Sequence, residues 1–360
     1  MRAVAIIAVV GYHYTHHGRP FMGGWLGVSL FFILSGYLIT RLLVEEHSKR
    51  RDISLRAFYR RRVARLLPAF ALFSTVLLIA AALRMDLFGP PNVVRNGFLA
   101  ASTYTANWFF VHRGVDWLGP FSPMWSLSVE EQFYLLWPIT LVLLLRRHTS
   151  QRVGRFVLVA AAIVFIEVVI RSTLWPRDAE TVMGTDGEPL AFLLLGCTVA
   201  LLCPLGAALD ASRAGELARR YWVPASVLLL TVFALVEDGP GTLGPGRLLV
   251  LVVAACMVLI VIATLADTPI RRALAVRPLV MLGRLSYGIY LWHIAVLAAT
   301  AWAMRHLDLS VNPIARGTVA LALTLAVAIV SYRYVERPLR ARIRGDYRKS
   351  NATLIAPLSS

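Results

Sequence analysis

A chain whose apolar runs are long enough to cross a lipid bilayer has two folds open to it. Hydrocarbon offers nothing to a backbone N–H or C=O, so a crossing segment must satisfy both within a helix or around a closed barrel. Runs of this kind lie at 24–44, 64–84, 125–145, 154–170, 189–205, 221–237, 247–265, 279–303 and 314–334, after a first, shorter one at 2–15. Most are about twice the length of the roughly ten-residue alternating strands of a membrane barrel. The sequence therefore predicts an all-α, polytopic transmembrane helix bundle of about ten spans. With 58% hydrophobic and 16% charged residues, the chain also departs from soluble domains, whose apolar share is about 45–50%.

The 37 Lys and Arg against 20 Asp and Glu give a formal charge of +17. No basic stripe is interleaved with exposed aromatics on a soluble domain, so no nucleic-acid partner is expected. Topology explains the excess. Basic residues gather in cytoplasmic loops, and the clusters at 49–65, 146–155, 213–220, 271–277 and 333–349 each follow an even-numbered run. All five are cytoplasmic when both termini are, provided that the moderately apolar piece 93–111 does not cross. It is read as re-entrant or interfacial, with Trp108, Phe109 and Trp117 as aromatic-belt residues. The mixed-charge loop 171–188 and the Gly/Pro-rich turn 238–246 then face outward. The first run lacks a small-residue cleavage site behind it and is read as a retained span. Residues 1–339 form the membrane domain and 340–360 a short polar cytoplasmic tail, with no second soluble domain expected. Cys197, Cys203 and Cys256 show no metal or redox spacing and read as small buried hydrophobes.

Inside this apolar frame the ionisable residues stand out, because at membrane depth they face a bundle interior or a wet cavity. Arg2 and His13 are three helical turns plus about 20° apart, so they share one face with about 16 Å between them. An imidazole in the outer half of the first span suits a general base for something arriving from outside. His13 and His17 stand at a metal-pair spacing, but no matching carboxylate or cysteine follows, so no metal site is expected. In the second run Gly27 and Gly36 read as close-packing positions, and Ser35 as a mid-depth group that binds a ligand or, with no adjacent base in sequence, less readily acts as a nucleophile. The cluster FYRRRVARLLP carries Arg60, Arg61, Arg62 and Arg65, more cations than orientation requires; guanidinium groups bind phosphates bidentately, so a cytoplasmic polyphosphate is the functional reading. Glu130 and Glu131 point about 100° apart, so at most one is expected to face an interior site. Glu130 with Trp125, Gln132 and Tyr134 reads as a sugar- or hydroxyl-binding patch. GRLSYGIYLWH adds Arg284, Ser286, Tyr287, Tyr290 and His293. His293 falls at the level of His13, where a packed histidine bonded to the backbone is the competing reading.

Six segments together resemble acyltransferase family 3, the integral membrane O-acyltransferases and O-acetyltransferases of bacteria. They are Arg2 with His13, GVSLFFILSGYLIT, the pattern Phe58, Arg61, Arg62, Arg65 and Pro68, then WSLSVEEQFYLLWP, SYGIYLWH and YRYVERP, in the family's order over nearly the whole chain. The resemblance implies a multi-pass enzyme of the bacterial plasma membrane that moves an acyl group, most simply acetyl, from cytoplasmic acyl-CoA to a hydroxyl of a surface or lipid-linked carbohydrate. It implies His13 as the catalytic base with Glu130 in the site, and donor binding by Arg2, Arg61, Arg62 and Arg65. Ser35, Trp125, Gln132, Tyr134, Ser286, Tyr287 and His293 are the expected lining residues. No permanently bound cofactor is implied; acyl-CoA is a cosubstrate, and the partners are the carbohydrate or glycosylated acceptor and membrane lipid. Some relatives end in an esterase-like domain; the expectation here is a stand-alone form, acting alone or with a separate extracytoplasmic transferase. The alternatives are acylation of a small natural product such as a macrolide, a proton-coupled transporter relaying through His13, Glu130 and His293, and a b-type haem protein with His13 and His293 as axial ligands.

Overall fold

The computed structural model describes residues 1–15, 21, 23–83, 85–174, 187–235, 248–309 and 311–342. No strand occurs among them. The principal helices are α1 (Arg2–Tyr14), α2 (Leu26–Arg50), α3 (Leu55–Ala82), α4 (Pro91–Ser102), α5 (Ala106–Arg113), α6 (Met124–Arg147), α7 (Ser150–Leu174), α8 (Gly187–Leu202), α9 (Arg213–Leu235), α10 (Leu248–Leu265), α11 (Arg277–His306) and α12 (Pro313–Val330). Among the described residues 7 helices are long and apolar enough to cross a membrane, namely α2, α3, α6, α7, α9, α11 and α12 with its continuation to Arg342. The shorter apolar helices α1, α8 and α10 occupy the remaining expected positions. The chain is thus an all-α, multi-pass membrane protein.

Local sequence fixes the helix ends. The Ser54 hydroxyl accepts from the Ala57 amide at 3.4 Å to open α3, and the Asn312 side chain accepts from Ala315 N at 2.7 Å to open α12. Both use a side-chain oxygen where four amides would otherwise lack a partner. The piece 93–111 is two short helices, α4 and α5, broken at Tyr104, whose φ of 55° lies in the left-handed region. A 12-residue and an 8-residue helix are each too short to span about 30 Å. The break is pinned by Gln132, whose amide nitrogen donates to Tyr104 O at 2.7 Å and to Asn107 Oδ1 at 3.0 Å.

Close packing of α2 on α8 sets one wall of the bundle. A Cβ on Gly36 would stand 2.0 Å from the Leu193 carbonyl oxygen, and one on Gly196 would stand 2.0 Å from that of Ile33. The two helices touch backbone to backbone there, the use of small residues expected where lipid supplies no hydrophobic drive between helices. Gly27 meets α1 in the same way, its missing Cβ 2.5 Å from Ala5 O. The mixed loop 171–188 and the turn 238–246 fall largely outside the described residues, as does the tail beyond Arg342.

Gly36→Val should cost about 1–3 kcal/mol through overpacking and lower the thermal midpoint of the detergent-solubilised protein. Gly288→Ala, whose new Cβ meets nothing nearer than 3.5 Å, should leave that midpoint within error. Equal midpoints for both variants would refute the backbone contact.

Candidate active site

α6 carries two adjacent acids into the bundle, and each finds a different helix. The Ser35 hydroxyl of α2 donates to Glu130 Oε1 at 2.9 Å, and Tyr134 one turn on donates to Glu130 Oε2 at 3.4 Å. Glu131 takes a bidentate pair from Arg62 of α3, Nε to Oε2 at 3.0 Å and Nη2 to Oε1 at 2.5 Å. The Arg62 guanidinium carbon also lies 3.2 Å from the Tyr134 ring centroid. Both acids line one cleft. The expectation that at most one would face the interior is therefore corrected. The cleft wraps around α6 from the α2 side to the α3 side, and 100° of arc is what it spans.

Arg2 closes this cleft from α1. Its Nε donates to Ser286 Oγ of α11 at 3.0 Å, and its guanidinium lies 5.4 Å from the Phe31 ring centroid. Tyr287 and Tyr290 of α11 and Arg65 of α3 complete the lining. The cleft is narrow, about 60 Å³. It shares Arg2, Arg65 and Tyr287 with a wider vestibule of about 330 Å³, around which Arg284 and Arg340 also stand. Arg340 donates to Glu336 Oε2 at 2.8 Å and to Arg65 O at 3.2 Å. It lies in the helical continuation of α12, past a π-helical turn at Ser331–Glu336, so the bundle runs past the expected start of the tail at residue 340.

Beyond the cleft's far end the two histidines meet. Tyr290 bonds Ser126 at 2.6 Å, and its ring is 5.4 Å from that of His293. His293 stands edge-on to His13 with ring centroids 5.0 Å apart. Each histidine places Nδ1 on a backbone carbonyl, His13 on Val9 O at 2.9 Å and His293 on Tyr290 O at 2.7 Å. A carbonyl only accepts, so in the neutral rings Nδ1 carries the proton and Nε2 the lone pair. That is the tautomer a base needs. The edge contact leaves no room for a macrocycle between the rings, so the axial-ligand alternative falls. His16 and His17 lie outside the described residues.

The described geometry and the comparison with known proteins point the same way: the family pattern described as an acyltransferase domain, acyltransferase 3, matches residues 1–333. The chain belongs to the acyltransferase 3 family. Its relatives include an O-acetyltransferase OatA of Staphylococcus aureus, 29% identical over 357 residues, 95% of this chain and 56% of that protein. A peptidoglycan O-acetyltransferase OatA of Listeria monocytogenes is 29% identical over 354 residues, 94% of this chain and 55% of that protein. A putative peptidoglycan O-acetyltransferase, YrhL of Bacillus subtilis, is 31% identical over 358 residues, 95% and 54% respectively. The chain spans about half the length of the curated relatives it matches. No solved structure matches it.

Within this acyltransferase 3 chain, Arg2, Ser35, Arg62, Arg65, Glu130, Tyr134, Ser286 and Tyr287 share the cleft. Other expected site residues stand apart. Arg61, turned about 100° around α3 from Arg62, is 49% exposed and 3.2 Å from Glu46. Gln132 holds α5, and Trp125 stacks on Phe110 at 5.3 Å. His13 and His293 adjoin the cleft through Tyr290 without lining it. Sequence reasoning assigned no role to Glu131, Ser126 or Arg340. The signal for Glu131 was its spacing from Glu130, and for Arg340 a basic run read only as tail.

Arg62 and Glu131 are 12% and 13% exposed. Glu131→Gln, which leaves the guanidinium without its charge partner, should destabilise by on the order of 3 kcal/mol. Arg61→Ala removes an exposed pair and should cost about 0–1 kcal/mol. Chemical denaturation in lipid or mild detergent ranks the two, and a reversed order would refute the assignment of Arg62–Glu131 as the central pair.

Proposed function

We propose that this chain is an acyl-CoA-dependent membrane O-acyltransferase, most simply an acetyltransferase, with His13 as general base. The observation that carries the reading is the arginine vestibule narrowing into a cleft. Arg2, Arg65, Arg284 and Arg340 surround about 330 Å³, and Arg65 and Arg284 form no ion pair among the described residues. An excess of guanidinium at the mouth suits phosphates, and the basic loops put that mouth on the cytoplasmic side. The narrow cleft behind it suits the extended, uncharged arm of a thioester donor.

The reaction then runs from one face of the membrane toward the other. The phosphates of acyl-CoA bind at Arg65, Arg284 and Arg340, and the thioester reaches the end of the cleft at Tyr290. An acceptor hydroxyl approaches from the opposite side. His13 Nε2 takes the hydroxyl proton as the oxygen bonds to the thioester carbonyl carbon. The carbon–sulfur bond breaks, and the CoA thiolate leaves and takes up the proton, regenerating the neutral imidazole. Glu130 holds the cleft in shape through Ser35 and Tyr134, and offsets the charge of Arg2. The acceptor is a hydroxyl of a cell-envelope carbohydrate; the names of the Listeria and Bacillus relatives, which specify peptidoglycan, support that class.

The test uses the purified full chain in lipid nanodiscs with labelled acetyl-CoA and peptidoglycan fragments. His13→Ala should lower label transfer at least about a thousandfold, within the range of general-base and positioning effects combined, while CoA affinity stays within twofold. Undiminished transfer in that variant overturns the assignment. Arg284→Ala should raise KM for acetyl-CoA about tenfold, ~1.4 kcal/mol, and leave turnover of acetyl-pantetheine, which lacks the nucleotide phosphates, unchanged. An equal loss with both donors would move the phosphates elsewhere.

A further inference from the structure

A second cavity lies on the other side of α2, between α2, α6 and α8, and nothing in the reaction described above uses it. Trp25, Ser29, Trp125 and Glu188 stand in its wall. Glu188 is 4% exposed and Trp25 8%. Both carry a buried polar atom with no hydrogen-bond partner among the described residues: Trp25 Nε1, a donor, and Glu188 Oε2, an acceptor. A buried polar atom left unpaired costs about 1–3 kcal/mol, so two such atoms of opposite type in one cavity are a pair of groups kept ready for something else.

The chemistry of the missing group follows from the two atoms. An indole N–H only donates, whereas a carboxyl group accepts and, when protonated, also donates. A hydroxyl does both, accepting from Trp25 and donating to Glu188. A hydroxyl meets a carboxyl group in either protonation state, whereas an ammonium group would leave Trp25 unmet. The free space is about 30 Å³, room for about two water-sized groups, so the cavity takes a hydroxyl arm of a larger molecule and not a whole sugar ring. Its walls are firm: Trp125 is held by Phe110 at 5.3 Å and Phe32 at 6.4 Å between ring centroids.

The position suits an acceptor. Trp25, Trp125 and Glu188 all sit at the ends of α2, α6 and α8 that lie away from the basic loops. Val28 lines both this cavity and the cleft, and Ser126, the residue after Trp125, lines the cleft. One side chain thus separates the far end of the donor path from this cavity. We infer that the cavity lined by Trp25, Ser29, Trp125 and Glu188 is the acceptor-hydroxyl subsite, binding a hydroxyl arm of a carbohydrate between the indole N–H and the carboxylate. This rests on the O-acyl transfer reading for its role and on the cavity alone for its ligand.

Glu188→Gln and Trp25→Phe keep shape and remove the carboxyl group or the indole donor. In nanodiscs, muramidase-released peptidoglycan fragments should bind the wild-type chain by calorimetry, and each variant at least about tenfold more weakly. In the transfer assay KM for the fragments should rise by a similar factor while kcat and CoA affinity stay within twofold. A residue with a merely structural role would lower the thermal midpoint; Glu188→Gln should hold or raise it, because an unpaired buried acid is replaced by a neutral amide. Fragment affinity within twofold of wild type in both variants overturns the inference, as does a wild-type chain that binds no fragment. Binding without any label transfer would instead sink the acyltransferase reading and leave the subsite standing. A variant that fails to fold is replaced by Ser29→Ala in the same wall, with the same expectation for KM.

Discussion

The bidentate bond between Arg62 and Glu131 is the interaction on which the cleft depends. It joins α3 to α6 inside the bundle, where an unpaired charge of either sign would be costly. With Glu131 occupied by Arg62, its neighbour Glu130 is left to Ser35 and Tyr134. The two acids together tie α2, α3 and α6 around one space. Tyr134 serves twice, bonding Glu130 through its hydroxyl and lying under the Arg62 guanidinium with its ring. Arg2 enters that frame from α1 and meets Ser286 of α11. Five helices thus converge through polar bonds, while close glycine contacts fix α2 against α8 and α1.

Much of this was legible in the sequence, and the parts that were not have a common cause. The apolar runs marked their helices because lipid leaves the backbone no other choice; the short pieces α4 and α5 were legible as a non-crossing segment through the charge of the later loops. Arg2, Ser35, Glu130 and Ser286 could be singled out one by one, each a polar residue in an apolar stretch. What a linear reading could not supply was pairing across helices. It placed Arg61 and Arg62 together, yet a step of one residue turns a side chain through about 100°, and only Arg62 faces α6. For the same reason it allowed only one of Glu130 and Glu131 an interior place, without knowing that α2 and α3 flank the two sides of that arc. Glu188 read as one of several acids in a loop of mixed charge, because nothing in its neighbours reveals that α2 closes over it beside Trp25.

The order of charge along the cleft bears on why the proposed transfer runs in one direction. At the mouth stand cations in excess, Arg65, Arg284 and Arg340, with Glu336 the carboxylate that pairs with Arg340. Deeper in, charges are matched, Arg62 with Glu131 and Arg2 near Glu130. At the far end stand Tyr290, Ser126 and the two histidines, whose backbone bonds select the Nδ1–H tautomer of the neutral rings. A polyanion is drawn to the first zone. Going further would strip it of water without new cations to replace that water. Its uncharged thioester arm meets no such penalty. In the proposed transfer the donor is therefore held by its charge at one end and presented by its neutral arm at the other. In that proposed transfer the base is the Nε2 lone pair of His13, whose Nδ1 is held on Val9 O.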